Sequence, residues 1–125
     1  MAGADRRQAA ASFLRLASSG KVREAFGTYA GPGFVHHNPF FPGGADALRA
    51  GMEENAAKFP HKVFEIHHTL EDGELVAVHS HVRMNPDEPG VAVVHLFRFQ
   101  GDRIAELWDI GQPVPRNSLN QAGMF

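Results

Sequence analysis

Residues 91–112 read VAVVHLFRFQ, GD, RIAELWDIGQ, and this stretch decides the fold. Val91 to Gln100 is an apolar run rich in β-branched and aromatic residues, which suit a pleated, half-buried surface. Gly101-Asp102 supplies a turn, and Arg103 to Gln112 continues as a second strand that should pair with the first. On the N-terminal side, Leu75 to Met84 is β-rich and ends at Asn85-Pro86-Asp87-Glu88-Pro89-Gly90. Before it, Lys62 to Glu71 alternates and meets Asp72-Gly73, a strong hairpin signal. These four segments predict an antiparallel meander.

The first half has a different period. Ala10, Phe13, Leu14 and Ala17 recur at helical spacing before the stop Ser18-Ser19-Gly20. Val22, Ala25, Phe26 and Tyr29 repeat the pattern, and Gly31-Pro32-Gly33 reads as the end of that second helix. A short extended piece, Phe34 to Asn38, follows, with Pro39 holding Asn38 out of the helical region. After Gly43-Gly44 a third helix carries Leu48, Met52, Ala56 and Phe59 on one face and stops at Pro60. Three helices followed by a meander predict an α+β fold in which the helices cover one face of a curved sheet and leave a pocket. The 125 residues make one domain, 1–125, with 113–125 as an extended C-terminal tail.

Composition narrows the function. Twelve Lys and Arg against fourteen Asp and Glu give a net charge of -2, which offers neither nucleic acid nor an anionic membrane a basic face. No apolar run approaches the roughly 20 residues that span a bilayer. Met1 to Arg15 mixes Asp5, Arg6, Arg7 and Gln8 into its apolar residues, unlike a signal peptide. Cysteine is absent, which removes disulfides, thiolate ligands and a thiol nucleophile and fits a reducing, cytoplasmic setting. Eight histidines and ten phenylalanines remain, pointing to imidazole chemistry in a pocket lined by apolar rings.

Strand alternation groups the candidates. His79 and His81 leave one face of their strand together, and His95 lies in the apolar row Val91, Val93, Phe97, Phe99. Asp109 follows Trp108 on the strand expected beside His95, and only one of the two can face the pocket unless a bulge intervenes. A carboxylate beside an imidazole in a partly desolvated cavity is suited to proton transfer. His37-Asn38-Pro39 could deliver an imidazole and an amide to the pocket mouth, where an amide can hold a carbonyl oxygen. His36, His61 and His67 read as ordinary polar residues. A metal held by His79, His81 and His95 is a weaker alternative, since cupin-type sites need an all-β barrel. There is no Gly-x-Ser-x-Gly elbow, Walker loop or dinucleotide fingerprint, and the few lysines lie off the central strands, against a Schiff base.

Taken in order, His37-Asn38-Pro39, His79-Ser80-His81, Gly90 to Arg98, Ile104 to Ile110 with Gln112-Pro113, and Gly123-Met124-Phe125 resemble the SnoaL-like polyketide cyclase family of the nuclear transport factor 2-like superfamily. That resemblance implies a cone-shaped half-barrel closed by N-terminal helices, and a homodimer formed through the sheet. It implies cyclase or isomerase chemistry of the aldol cyclisation type, without metal or other cofactor. An aspartate then serves as the acid–base group with histidine and amide side chains nearby: Asp109 with His81 and His95, and His37 and Asn38 in support. The expected partner is a small hydrophobic carbonyl compound, contacted by His37, Asn38, His79, Trp108 and Phe97. A non-catalytic binding module of the same fold is the main alternative, and a histidine-ligated metalloenzyme the weaker one.

Overall fold

In a computed structural model, residues 5–125 are described; the Met1–Ala4 part of the N-terminal stretch read above lies outside them. The element order is α1 (Arg6–Ser18), α2 (Val22–Tyr29), β1 (Ala30–His36), α3 (Ala45–Lys58), β2 (Val63–Asp72), β3 (Leu75–Arg83), β4 (Val91–Gln100) and β5 (Arg103–Pro113). Asp5 caps α1 by accepting the Gln8 amide at 3.0 Å, satisfying one of the free donors of the first turn. The positions spaced for a helix are the ones buried: Ala10, Phe13, Leu14 and Ala17 in α1, and Val22, Ala25 and Phe26 in α2. They pack with Phe34, Leu48, Val76, Val78, Phe97, Phe99, Ile104 and Leu107 into one core. Phe13 meets both Phe26 and Phe97 edge to face, the geometry aromatic quadrupoles favour.

The five strands form one curved, open sheet in the order β1-β5-β4-β3-β2. The meander β2 to β5 is antiparallel throughout. One expectation needs correction. Gly31-Pro32-Gly33 is not the end of α2, which stops at Tyr29, but part of β1, and β1 pairs parallel with β5. Its register is irregular between Ala30 and Val35, because a glycine-proline-glycine run cannot keep a regular ladder. The extended piece therefore becomes an edge strand, and it brings Asn38 alongside β5.

Two bulges set which side chains face the helices. β5 pairs Glu106 with Arg98 but Ile104 with Phe99, so Ala105 is the extra residue. A second irregularity lies at His67 in β2. Among the described residues no helix is long and apolar enough to cross a membrane.

Candidate functional site

Directly opposed residues in an antiparallel ladder share a face. Val78, His95 and Asp109 are opposed across β3, β4 and β5, as are Val76, Phe97 and Leu107 one step along. Val76, Val78, Phe97 and Leu107 belong to the core beneath the helices, so His95 and Asp109 lie on the helix-covered, concave face. The bulge at Ala105 makes this possible: Ile104, Leu107 and Asp109 all turn inward, although 104 and 107 are an odd number of residues apart.

His95 is buried, only 8% exposed, and packs between the rings of Phe64 and Phe97. Burial holds its imidazole below the ordinary histidine pKa, while the Asp109 charge works the other way. Asp109 is half-buried and accepts a hydrogen bond at Oδ2 from Asn38 Nδ2, at 2.9 Å. Asn38 Oδ1 accepts from the Phe40 amide at 2.9 Å, which leaves the Nδ2 end for the carboxylate. An amide, a carboxylate and a neutral imidazole thus meet at the rim of the concave face. Two buried polar atoms on this face have no hydrogen-bond partner within the protein: His95 Nδ1 and Ser80 Oγ.

The other candidates lie on the opposite, convex face or in the core. His79 and His81 oppose Val94 and Ala92, which alternate away from His95. The pair is therefore separated from Asp109 by the sheet itself, and His81 is not placed to assist it. His81 Nε2 donates to Pro89 O at 2.6 Å; His79 Nδ1 lies 3.0 Å from His68 Nδ1. Burial and the neighbouring His68 and His67 lower the His79 pKa. The Phe125 ring stacks on His67, His79 and His81. Trp108 is convex too: His37 stacks on it at 5.0 Å and bonds Glu106 Oε2 at 2.6 Å. With Arg98, that contact holds the Glu106 carboxyl below its usual range. Phe97 is fully buried in the core, so it supports the floor of the site. Because the sheet lies between His95 and the His79/His81 pair, these three cannot share one ion. Among the described residues no group of three or more His, Asp or Glu side chains converges as a metal site.

Two residues given no role from sequence also come into view. His36 alternates with Phe34 and Asn38, is buried, and contacts the Asn38 loop at both ends; that parity was the available signal. Lys62 shares its parity with Phe64 and Ile66, and its ammonium donates to Asn55 Oδ1 of α3; burial lowers its pKa. Two clefts of about 310 Å³ lie elsewhere, one along Gly31, Arg98 and Ile104 and one between Phe26 and Arg49.

A family model described as the SnoaL-like domain matches residues 10–107. The chain belongs to the SnoaL-like family. That match ends two residues before Asp109, so the carboxylate is placed by the coordinates and not by the family model. Among solved structures, this SnoaL-like chain is similar to an NTF2-like protein of unknown function from Cytophaga hutchinsonii (18% identity, 87% of this chain and 91% of that one, TM-score 0.68). It is also similar to a proposed polyketide cyclase from Acidithiobacillus ferrooxidans (20%, 90% and 92%, 0.68). A proposed isomerase of the SnoaL-like family from Agrobacterium tumefaciens is a third (15%, 86% and 97%, 0.70). No curated protein gave a match. At these identities the solved structures establish the fold.

Proposed function

We propose that this SnoaL-like protein is a metal-independent acid–base enzyme that takes a proton from the carbon next to a carbonyl, in an aldol cyclisation or isomerisation. The observation that supports it most is Asp109, opposed to the buried His95 and hydrogen-bonded by Asn38 on the concave face. Asp109 is the base. His95, kept neutral by burial, faces the developing enolate oxygen together with the Asn38 amide. Phe64 and Ile66 supply the apolar wall that suits a small hydrophobic substrate. The names of two structural relatives, a proposed cyclase and a proposed isomerase, agree with this class of reaction.

The test is deuterium exchange at the α-carbon of a panel of cyclic ketones and 1,3-dicarbonyl compounds, followed by NMR. Asp109→Asn should lower the exchange rate about 10²–10⁴-fold, the usual contribution of a positioned base. Equal rates in the two proteins would remove Asp109 from the chemistry. A second reading is a non-catalytic small-molecule-binding module that uses the same apolar wall of Phe64 and Ile66. Ligand binding that survives Asp109→Asn, with no exchange in either protein, would select it.

Two further parts of the proposal concern the whole protein. The convex face exposes Val35, Leu70, Leu75 and Ile110, and a second copy of the chain covering it would give a homodimer through the sheet. The absence of cysteine suits the cytoplasm.

A further inference from the structure

We infer that His36 is a positioning residue: its buried ring fixes the loop that aims Asn38 at Asp109. This rests on the assignment of Asp109 as the base. The ring sits on the concave side of β1, 6% exposed, opposite Leu107. Its Nε2 lies 2.8 Å from Pro42 O, and its Nδ1 3.1 Å from the Asn38 backbone nitrogen. A carbonyl can only accept and a backbone N–H can only donate, so Nε2 carries the proton and Nδ1 does not. One neutral tautomer therefore ties both ends of the loop 38–42 to one rigid ring.

The consequence passes along the chain of contacts. Pro39 keeps the Asn38 backbone extended, and His36 Nδ1 holds its N–H. Within that frame the Asn38 side chain has one workable orientation. Oδ1 takes the Phe40 amide and Nδ2 the Asp109 carboxylate; the reversed amide would set oxygen against oxygen and N–H against N–H. Phe41 closes the loop from the other side. Its ring lies so near α3 that a Cβ on Gly51 would come within 2.3 Å of it. No hydrogen bond joins His36 to Asp109 directly among the described residues, so its influence runs through Asn38.

Three variants separate the two ties. His36→Asn keeps an acceptor where Nδ1 was, His36→Gln keeps a donor where Nε2 was, and His36→Leu keeps neither. The readouts are the α-proton exchange assay, the urea midpoint, and the NMR signals of the Asn38 side-chain amide. For His36→Leu, kcat should fall by about 10²-fold with KM little changed, as when a reacting group is misplaced by about 1 Å. His36→Asn should recover more of kcat than His36→Gln, because it keeps the grip on Asn38. The Asn38 amide signals should move in His36→Leu and stay near their original positions in His36→Asn. The NMR arm needs no turnover, so failure of the Asp109 assignment and failure of this inference are told apart. Should His36→Leu not fold, the two amide variants carry the comparison. Equal kcat and equal Asn38 signals in those two would overturn the inference, as would an unmoved Asn38 signal in a folded His36→Leu.

Discussion

His95 combines an ionisable ring with an apolar setting, and its cost is set by pH. Burial holds its pKa below the ordinary 6.5, so the unfolded chain binds a proton there more readily than the folded one. The stability tied to its neutral form is fully present above about 6.5 and is lost as pH falls through the folded value. Urea midpoints measured at pH 7.5, 6.5 and 5.5 should therefore decline toward acid, and less steeply in His95→Leu. His79, also lowered but on the convex surface, adds a slope of the same sign that survives the substitution. An identical slope in both proteins would mean that His95 takes up its proton equally well in the folded and the unfolded chain, and would remove the effect of burial. Pairing within a strand could be read from spacing: His79 with His81, and His95 with Phe97. Parity between strands could not, because it depends on register. Val78 opposes His95, and that single offset sends His79 and His81 through to the other face.

The turns and bulges carry the same lesson for the strands and helices. Helical spacing and hairpin dipeptides placed α2, α3, β2 to β5 and the end of α1 within a residue or two of their observed limits; α1 starts at Arg6, four residues before the first apolar position read, Ala10. The parallel strand β1 was hidden, since its glycines and proline read as a stop and its partner lies some 70 residues away. The bulge at Ala105 left no mark in the sequence, yet it decides that Asp109, and not Trp108, faces inward. Gly90 is the glycine with the least freedom to change. It has φ +80° before β4, and a Cβ there would lie 2.2 Å from Val82 O. Gly90→Ala should destabilise the protein by more than about 1 kcal/mol, seen as a lower urea midpoint. A midpoint matching the parent would show that the β3–β4 connection can relax. Arg6 ties the meander to α1 from the other side, donating to Gly73 O and Gly101 O and lying over Phe99.

For the molecule as a whole, one face of the sheet is spent on the helices, while the other is covered in part by Phe125 of the tail and otherwise exposed. Ile110 is 64% exposed and Leu70 67%, an arrangement that marks an association surface more often than a bare one. Ile110→Glu should shift the protein from dimer to monomer in sedimentation at micromolar concentration, with the helix-covered core intact by circular dichroism. A parent that already sediments as a monomer would remove the dimer proposal. Fold class and helix order could be read from the chain because periodicity and turn chemistry are local. The meeting of Asn38 with Asp109 was implied only by the family resemblance and not by spacing, because it depends on a crossover from one end of the sheet to the other.

That crossover also bears on synthesis. A growing chain exposes β1 long before β5 leaves the ribosome, and contacts between distant segments form late. Until residues 104–109 emerge, β1 has no neighbour in the sheet and the amide of Asn38 has no carboxylate to meet. A chain ending at residue 100 would carry β1 to β4 yet lack both the strand that β1 pairs with and the carboxylate that Asn38 meets.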